Sequence, residues 1–251
     1  MKIQIAEERN LFLILKRSII DIYNHLGYSI LISILWLLFA YPFGVLINTG
    51  LTIFMENTNF PLGLLFFLML LGVPYTAFIL GPVHTALFYQ MNQVINNEGQ
   101  IRGFWEGLRK HYWLSVRVYA LYTAMIIFCL VDLVICFFTL KALGMKILGF
   151  FLLYLLLFLV FWFLYLPGFI VFQKNTLKKV LHKTFVLVLD NIWLTIGALL
   201  LLVVIGVLFT LITPLLVSFY GSLLLVLMVH LFNGIMMKYP DPVAPVQEEG
   251  E

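Results

Sequence analysis

Six long apolar runs, at 27–48, 62–83, 113–139, 147–172, 192–212 and 215–237, leave this chain few ways to fold. At a helical rise of roughly 1.5 Å per residue, each run crosses the roughly 30 Å hydrocarbon layer of a bilayer. Backbone N–H and C=O groups in that layer must find partners within their own segment. The runs also lack the two-residue alternation of a membrane barrel strand, so each is read as a helix. Composition agrees, since 63% of the 251 residues are apolar and 11% are charged, against about 45–50% and about 25% in soluble domains. A mean hydropathy of +1.06 excludes an intrinsically disordered chain. The expected fold class is all-α: a polytopic membrane protein with six transmembrane helices in a single integral membrane domain over 1–239. A short acidic flexible tail is expected over 240–251.

The formal net charge of +3, from 15 Lys and Arg against 12 Asp and Glu, is too small to call for a nucleic-acid partner. Its distribution says more. Lys2, Arg9, Lys16, Arg17, Arg102, Arg109, Lys110, Lys174, Lys178, Lys179, Lys183 and Lys238 fall on one side of the six runs, and only Lys141 and Lys146 on the other. Loops that stay in the cytoplasm carry the excess of positive charge, so both termini are expected there. The start, MKIQIAEERN, has no apolar core followed by a small-residue cleavage site, and no cleaved signal peptide is expected.

The connections between runs are patterned. Over 101–112, Ile101, Phe104, Trp105, Leu108 and Tyr112 recur at steps of three and four, while Arg102, Glu106, Arg109 and Lys110 take the remaining face. Phe12, Leu15, Ile19, Ile22, Tyr23 and Leu26 repeat the pattern beside Lys16, Arg17 and Asp21. Leu177, Val180, Leu181, Phe185 and Val188 repeat it beside Lys178, Lys179, His182 and Lys183. Three amphipathic interfacial helices on the cytoplasmic side follow. Their apolar faces would lie in the acyl boundary, with Lys16, Arg17, Arg102, Arg109, Lys110, Lys178, Lys179 and Lys183 among anionic lipid headgroups. Arg117, about one turn inside the third run, can snorkel to the same layer. Each segment precedes a long run at a spacing of about 80–90 residues, which predicts three tandem units of interfacial helix plus hairpin.

The stretch GPVHTALFYQMNQVINNEGQIRGFWEGLRKHYWLSVRVYALYTAMIIF, sharpest over 81–113, resembles the YesL-like family of bacterial integral membrane proteins. WLLFAYPFGV in the first run resembles that family's early Trp, Leu and Pro pattern. The resemblance covers about 30–230. It implies a bacterial plasma-membrane protein associated with carbohydrate uptake, and it carries no active site.

Side chains that are costly in a bilayer are the site candidates. Arg117 and Asp132 lie fifteen residues apart on one helix, roughly 22 Å by helical rise, too far to pair. Asp132 is a candidate for a coupling ion or substrate. Cys129, Asp132 and Cys136 share one helix face, but a structural zinc site needs four ligands and none completes the set. His84 follows a Gly-Pro pair, and His230 and Asn233 lie one turn apart in the last run. Polar groups of this kind join membrane helices, and imidazoles can also relay protons or ligate a haem. Pro74, Tyr75 and Thr76, then Gly81 and Pro82, predict a kink and a bend in the second helix, with a binding cavity beside them lined by Tyr75, Thr76 and Asn48.

No HExxH, G-x-S-x-G or phosphate-loop pattern is present, and Ser222 has no base near its own depth. The expectation is therefore a non-catalytic accessory, assembly or scaffold subunit, with no metal or cofactor. Its partners would be the bilayer and other membrane transport subunits. The alternative is a small secondary transporter or channel with its cavity near the Pro74 break.

Overall fold

The structure, a computed structural model, describes residues 10–56, 71–139, 142–173 and 175–239. The expected tail over 240–251 and the first part of the second run lie outside the described residues. Among the described residues the fold is all-α. The helices are α1 (Leu11–Asn24), α2 (Leu26–Glu56), α3 (Leu71–Ile95), α4 (Gly103–Phe137), α5 (Leu143–Trp162), α6 (Leu166–Val171), α7 (Leu177–Asp190), α8 (Ile192–Thr210) and α9 (Thr213–Met236). Six of these, α2, α3, α4, α5, α8 and α9, are long and apolar enough to cross a membrane.

Helices α3 and α9 form the centre. Every residue over 81–88 and over 221–229 is buried, and the two helices touch each other. Helix α9 also packs on α1 and α2, while α3 makes its largest contact with α4. The outer helices turn large apolar side chains outward, among them Leu38 on α2, Phe151 on α5 and Val207 on α8. An exposed apolar surface of that extent requires a lipid or protein covering.

Small residues let the inner helices approach closely. A Cβ on Gly221 would stand 3.0 Å from the Ser33 Cα of α2. At that crossing the Ser222 N–H donates to Ser33 Oγ at 2.8 Å, and the Ser33 hydroxyl donates on to Ser222 Oγ at 3.1 Å.

Helix α1 starts where Asn10 accepts a hydrogen bond from the Phe12 N–H, an N-cap. It buries Ile14, Ser18 and Ile22, every fourth residue, and exposes Phe12, Lys16, Ile19 and Tyr23. Helix α7 repeats it 166 positions later: both have 14 residues, and α7 buries Val180, Thr184 and Val188. The Ser18 and Thr184 hydroxyls both donate to the carbonyl four residues back, at 2.8 Å. Both helices end on one non-helical residue, His25 (φ −124°, ψ 42°) and Asn191 (φ −127°, ψ 34°), before the next helix begins.

The segment expected as a third interfacial helix differs. From Gly103 onward it is the first part of α4, running on into the apolar span without a break. It packs by its small face, Gly103, Gly107, His111 and Ser115, leaving Ile101 and Trp105 of the aromatic face exposed. Gly107 is required here because a Cβ would stand 2.7 Å from the Tyr89 ring of α3. The second span also continues past residue 83 to Ile95, its polar His84, Thr85 and Gln90 being buried against neighbouring helices. The fourth stops at Trp162, where the chain turns through 163–165 into α6.

The ends of these helices meet in a polar cluster. Tyr28 donates to the Gly99 carbonyl at 3.0 Å, His230 Nε2 lies 2.6 Å from Asp21 Oδ2, and Lys238 and Tyr239 both reach Asp190. Lys183 binds Gln173 and Asn175 at 2.6 and 3.1 Å.

Candidate functional site

The second long helix is where the proline signals fall. Pro74 and Pro82 both lie inside α3, which neither breaks nor ends. Instead Thr76–Leu80 form a wider π-turn, in which the Gly81 N–H reaches back five residues to the Thr76 carbonyl. Such turns are uncommon and frequently mark functional sites, and two more are present among the described residues, at Ile135–Thr139 and Leu216–Tyr220. Pro82 offers no N–H to the carbonyls four and five residues before it, Phe78 and Ala77. Tyr112 Oη of α4 donates to the Phe78 carbonyl at 3.3 Å.

The same device recurs twice. Pro42 lies inside α2, and three residues before it Tyr75 Oη donates to the Phe39 carbonyl at 2.8 Å. At the C-terminal end of α5, Tyr122 Oη donates to the Leu159 carbonyl at 3.1 Å. In each case a hydroxyl from a neighbouring helix bonds a carbonyl at an interrupted turn, as a low-dielectric surrounding demands.

The interruption of α3 opens onto a cavity of about 830 Å³. Its walls come from α2 (Trp36 to Gly50), α3 (Gly72 to His84), α4 (Tyr119 to Val134), the turn at Phe163 and Leu164, α8 and α9. The lining is leucine, isoleucine, valine, phenylalanine, alanine and glycine, with polar atoms from Thr76, His84, Tyr119, Tyr122, Thr123, Tyr220 and Trp36, and among the described residues it contains no Asp, Glu, Lys or Arg. Clefts of this volume suit small organic molecules, a few placed polar groups fixing the orientation.

His84 is the best-defined of those groups. It is 2% exposed, and its Nδ1 accepts a hydrogen bond from the Trp36 indole N–H at 3.1 Å. An Nδ1 that accepts carries no proton, so the imidazole is neutral with its hydrogen on Nε2. The Phe163 ring stacks on the imidazole at 4.7 Å and Tyr119 meets it edge-on at 6.4 Å. The ring is held from three directions, yet Nε2 has no hydrogen-bond partner. The Tyr119 hydroxyl makes no hydrogen bond of ordinary geometry either, Thr85 being the polar side chain beside it.

Of the residues singled out from sequence, Thr76, Gly81 and His84 line this cavity. Pro74 is exposed and Pro82 is buried in the α3 packing. Tyr75 is turned to the Phe39 carbonyl, and Asn48 is exposed. Asp132 is half-buried on α4 away from the cavity lining, and Cys129 and Cys136 are buried free thiols. His230 pairs with Asp21 rather than with His84, and Asn233 faces outward. Lys16, Arg102, Arg109, Lys110, Arg117, Lys178, Lys179 and Lys183 are exposed, and Arg17 is half-buried. Arg117 folds back so that its Nε donates to the Trp113 carbonyl at 3.1 Å. Trp36, Tyr119, Tyr122 and Phe163 were not visible as site residues. The one signal for them was Tyr119 and Tyr122 three apart in an apolar helix, which places both on one face. No family model, curated protein or solved structure matches the chain.

Proposed function

We propose that this protein is a non-catalytic membrane subunit that holds an apolar, lipid-soluble guest in the cavity beside the α3 π-turn. The observation that carries the reading is an 830 Å³ space, walled by membrane-length helices and free of charged lining. A hydrated solute or ion would lose its water there without recovering polar partners, whereas an apolar molecule gains from burial. The α3 π-turn, opening on the same space, favours a second reading as a small transporter whose cargo is itself lipid-soluble.

The rest of the reading concerns placement. Lys16, Lys110, Lys178 and Lys238 at the polar end of the bundle support a cytoplasmic orientation of both termini and contact with anionic headgroups. Exposed Trp105, Trp113 and Trp193 suit the membrane interface. The match between α1 and α7, 166 residues or twice 83 apart, supports tandem units, with α4 as a middle unit whose two helices have fused. Membership of the YesL-like family, and work beside carbohydrate-uptake subunits of a bacterial plasma membrane, belong to the same proposal.

The test is purification from the native membrane in mild detergent, with mass spectrometry of both the organic extract and the co-purifying proteins. A near-stoichiometric apolar compound that is absent from a Gly44→Phe variant supports the guest. Gly44 lines the cavity, and no atom lies within 4 Å of where its Cβ would point. An extract identical for both proteins refutes it.

A further inference from the structure

We infer that the guest is the acyl chain of a bilayer lipid, lying lengthwise in the cavity with its headgroup outside. This rests on the cavity reading above and adds the shape and class of the ligand. Trp36, Ala40, Phe43, Ile47 and Gly50 of α2 line the space at steps of three and four, which is one helix face over about four turns. Gly72, Thr76, Leu80 and His84 line it from α3 at steps of four, and Tyr119, Thr123, Ile126, Leu130 and Val134 line it from α4. At roughly 1.5 Å per residue, the stripes on α2 and α4 are about 21 and 22 Å long. Spread over about 21 Å, the 830 Å³ has a mean width of about 7 Å, so the space is a slot running along the helices. Tetrahedral carbons joined by bonds of about 1.52 Å advance about 1.25 Å each, and about 17 of them fill the slot from end to end. That is the length of an ordinary membrane acyl chain.

The two ends of the slot differ. Trp36, His84 and Tyr119 stand together at the inner end, where the Trp36 indole bonds His84 and the Tyr119 ring meets the imidazole. At the other end, Gly50 lies six residues from the close of α2 at Glu56, and Val134 three residues from the close of α4 at Phe137. The slot therefore runs from the middle of the bundle towards one membrane boundary, where lipid headgroups lie. Among the described residues no charged side chain lines it, so a charged headgroup stays outside. The inner end asks for no polar partner either. His84 Nε2 and Tyr119 Oη are buried out of reach of a guest, and the Thr76 and Tyr122 hydroxyls already donate to the Gly72 and Leu159 carbonyls. Two walls also carry features that bend helices, Pro42 in α2 and the π-turn in α3. A flexible chain follows such walls, whereas a rigid plate of fused rings does not.

The test uses full-length protein in phosphatidylcholine bilayers, with Trp105→Phe, Trp113→Phe, Trp162→Phe and Trp193→Phe leaving Trp36 as the emitter. Bromine quenches tryptophan on contact. In a chain seated with its carbonyl near Gly50, bromines of a 15,16-dibromostearoyl lipid lie beside Trp36, and those of the 6,7-dibromo isomer lie about 11 Å short of it. The first is expected to quench most of the Trp36 emission and the second little. Gly72 is buried and lines the slot, and among the described residues a Cβ there meets Phe43 Cε2 alone, at 4.0 Å. Gly72→Phe therefore puts a ring into the slot and should abolish the quenching. A companion protein that keeps Trp193, 84% exposed, reports bulk lipid and should not respond to Gly72→Phe.

Equal quenching by the two isomers, or quenching that Gly72→Phe leaves intact, overturns the lengthwise chain. Quenching by a dibrominated sterol in place of both lipids overturns it too, and assigns the slot to a fused-ring plate with the cavity reading standing. If no probe quenches, the organic extracts of wild type and Gly44→Phe separate the two failures. A compound lost from Gly44→Phe then removes the chain alone, and identical extracts remove the cavity reading with it. Should the single-tryptophan protein fail to fold, a phosphatidylcholine with a diazirine at its chain end is photolysed with the wild-type protein. Adducts on Leu80 or Ile126 support the chain, and adducts confined to the outward-facing Phe151 and Val207 overturn it.

Discussion

Replacing Gly81 by alanine tests the central packing of the fold with one added methyl group. A Cβ built there would stand 2.4 Å from Tyr119 Cγ and 2.6 Å from both Tyr119 Cβ and Cδ2. All three atoms belong to the base of the side chain, so rotating the tyrosine about its outer bonds relieves little. Carbon atoms in contact sit about 3.5–4.0 Å apart, so α3 and α4 would have to separate by about 1 Å at their largest mutual contact. Overpacking of this kind costs about 1–3 kcal/mol. For a chain of this length that is a fall in melting temperature of roughly 2–12 °C. The chain carries its own reporter, since Cys129 and Cys136 are free thiols, each 3% exposed, and react with a fluorogenic maleimide as the bundle opens. Tyr119→Gly removes all three obstructing atoms, so Gly81→Ala should cost less in that background than in the wild type, a coupling that neighbours in contact show and distant sites do not. A Gly81→Ala protein that melts with the wild type, or a double variant whose losses simply add, would refute the close approach of α3 and α4 and with it the position of His84.

Other outcomes follow from single contacts. Tyr122→Phe strands the Leu159 carbonyl and should destabilise by about 1–3 kcal/mol, read by the same thiol assay, whereas Tyr154→Phe on the exposed face of α5 should be neutral. Asp21→Asn, losing the charged partner of His230, should loosen α1 from α9 and speed proteolysis near the N-terminal end without lowering guest binding. Ser33→Ala takes the acceptor from the Ser222 N–H and should cost about 0.6–2 kcal/mol, the range for hydrogen bonds between membrane helices. With both native cysteines replaced, a cysteine at Gly144 should react with an impermeant maleimide in intact cells and one at Asn97 should not. The opposite pattern would invert the orientation taken from Lys and Arg.

The apolar runs were legible because hydropathy over a helix length is a local sum, and the six membrane-length helices follow from it. The amphipathic α1 and α7 were legible for the same reason, through spacing alone. What failed was local chemistry read without its neighbours. His84, Thr85 and Gln90 look like the end of a span, yet α3 continues through them because α2 and α4 bury them. Gly81 and Pro82 look like a break, yet the π-turn absorbs the missing N–H and Tyr112 takes up a stranded carbonyl. The aromatic face of 101–112, expected in the acyl boundary, leaves Ile101 and Trp105 exposed, but that its opposite face would pack on α3 through Gly103 and Gly107 was not legible from spacing. His84 was visible as a candidate, whereas its partner Trp36, 48 positions away, meets it only through the packing of α2 on α3.

A tyrosine that bonds an interrupted carbonyl ties distant positions into a shared history. Pro82 and Tyr112 sit on different helices, and the tyrosine hydroxyl bonds the carbonyl four residues before the proline, which the proline cannot serve. Losing Tyr112 first leaves the Phe78 carbonyl bare, while losing Pro82 first restores an N–H four residues on that competes for the same oxygen. Drift at these two positions should therefore be paired and ordered, Pro82 departing before Tyr112 becomes free to change. Descendants of such a chain would keep or lose the two residues together, although nothing in the hydropathy of either helix connects them.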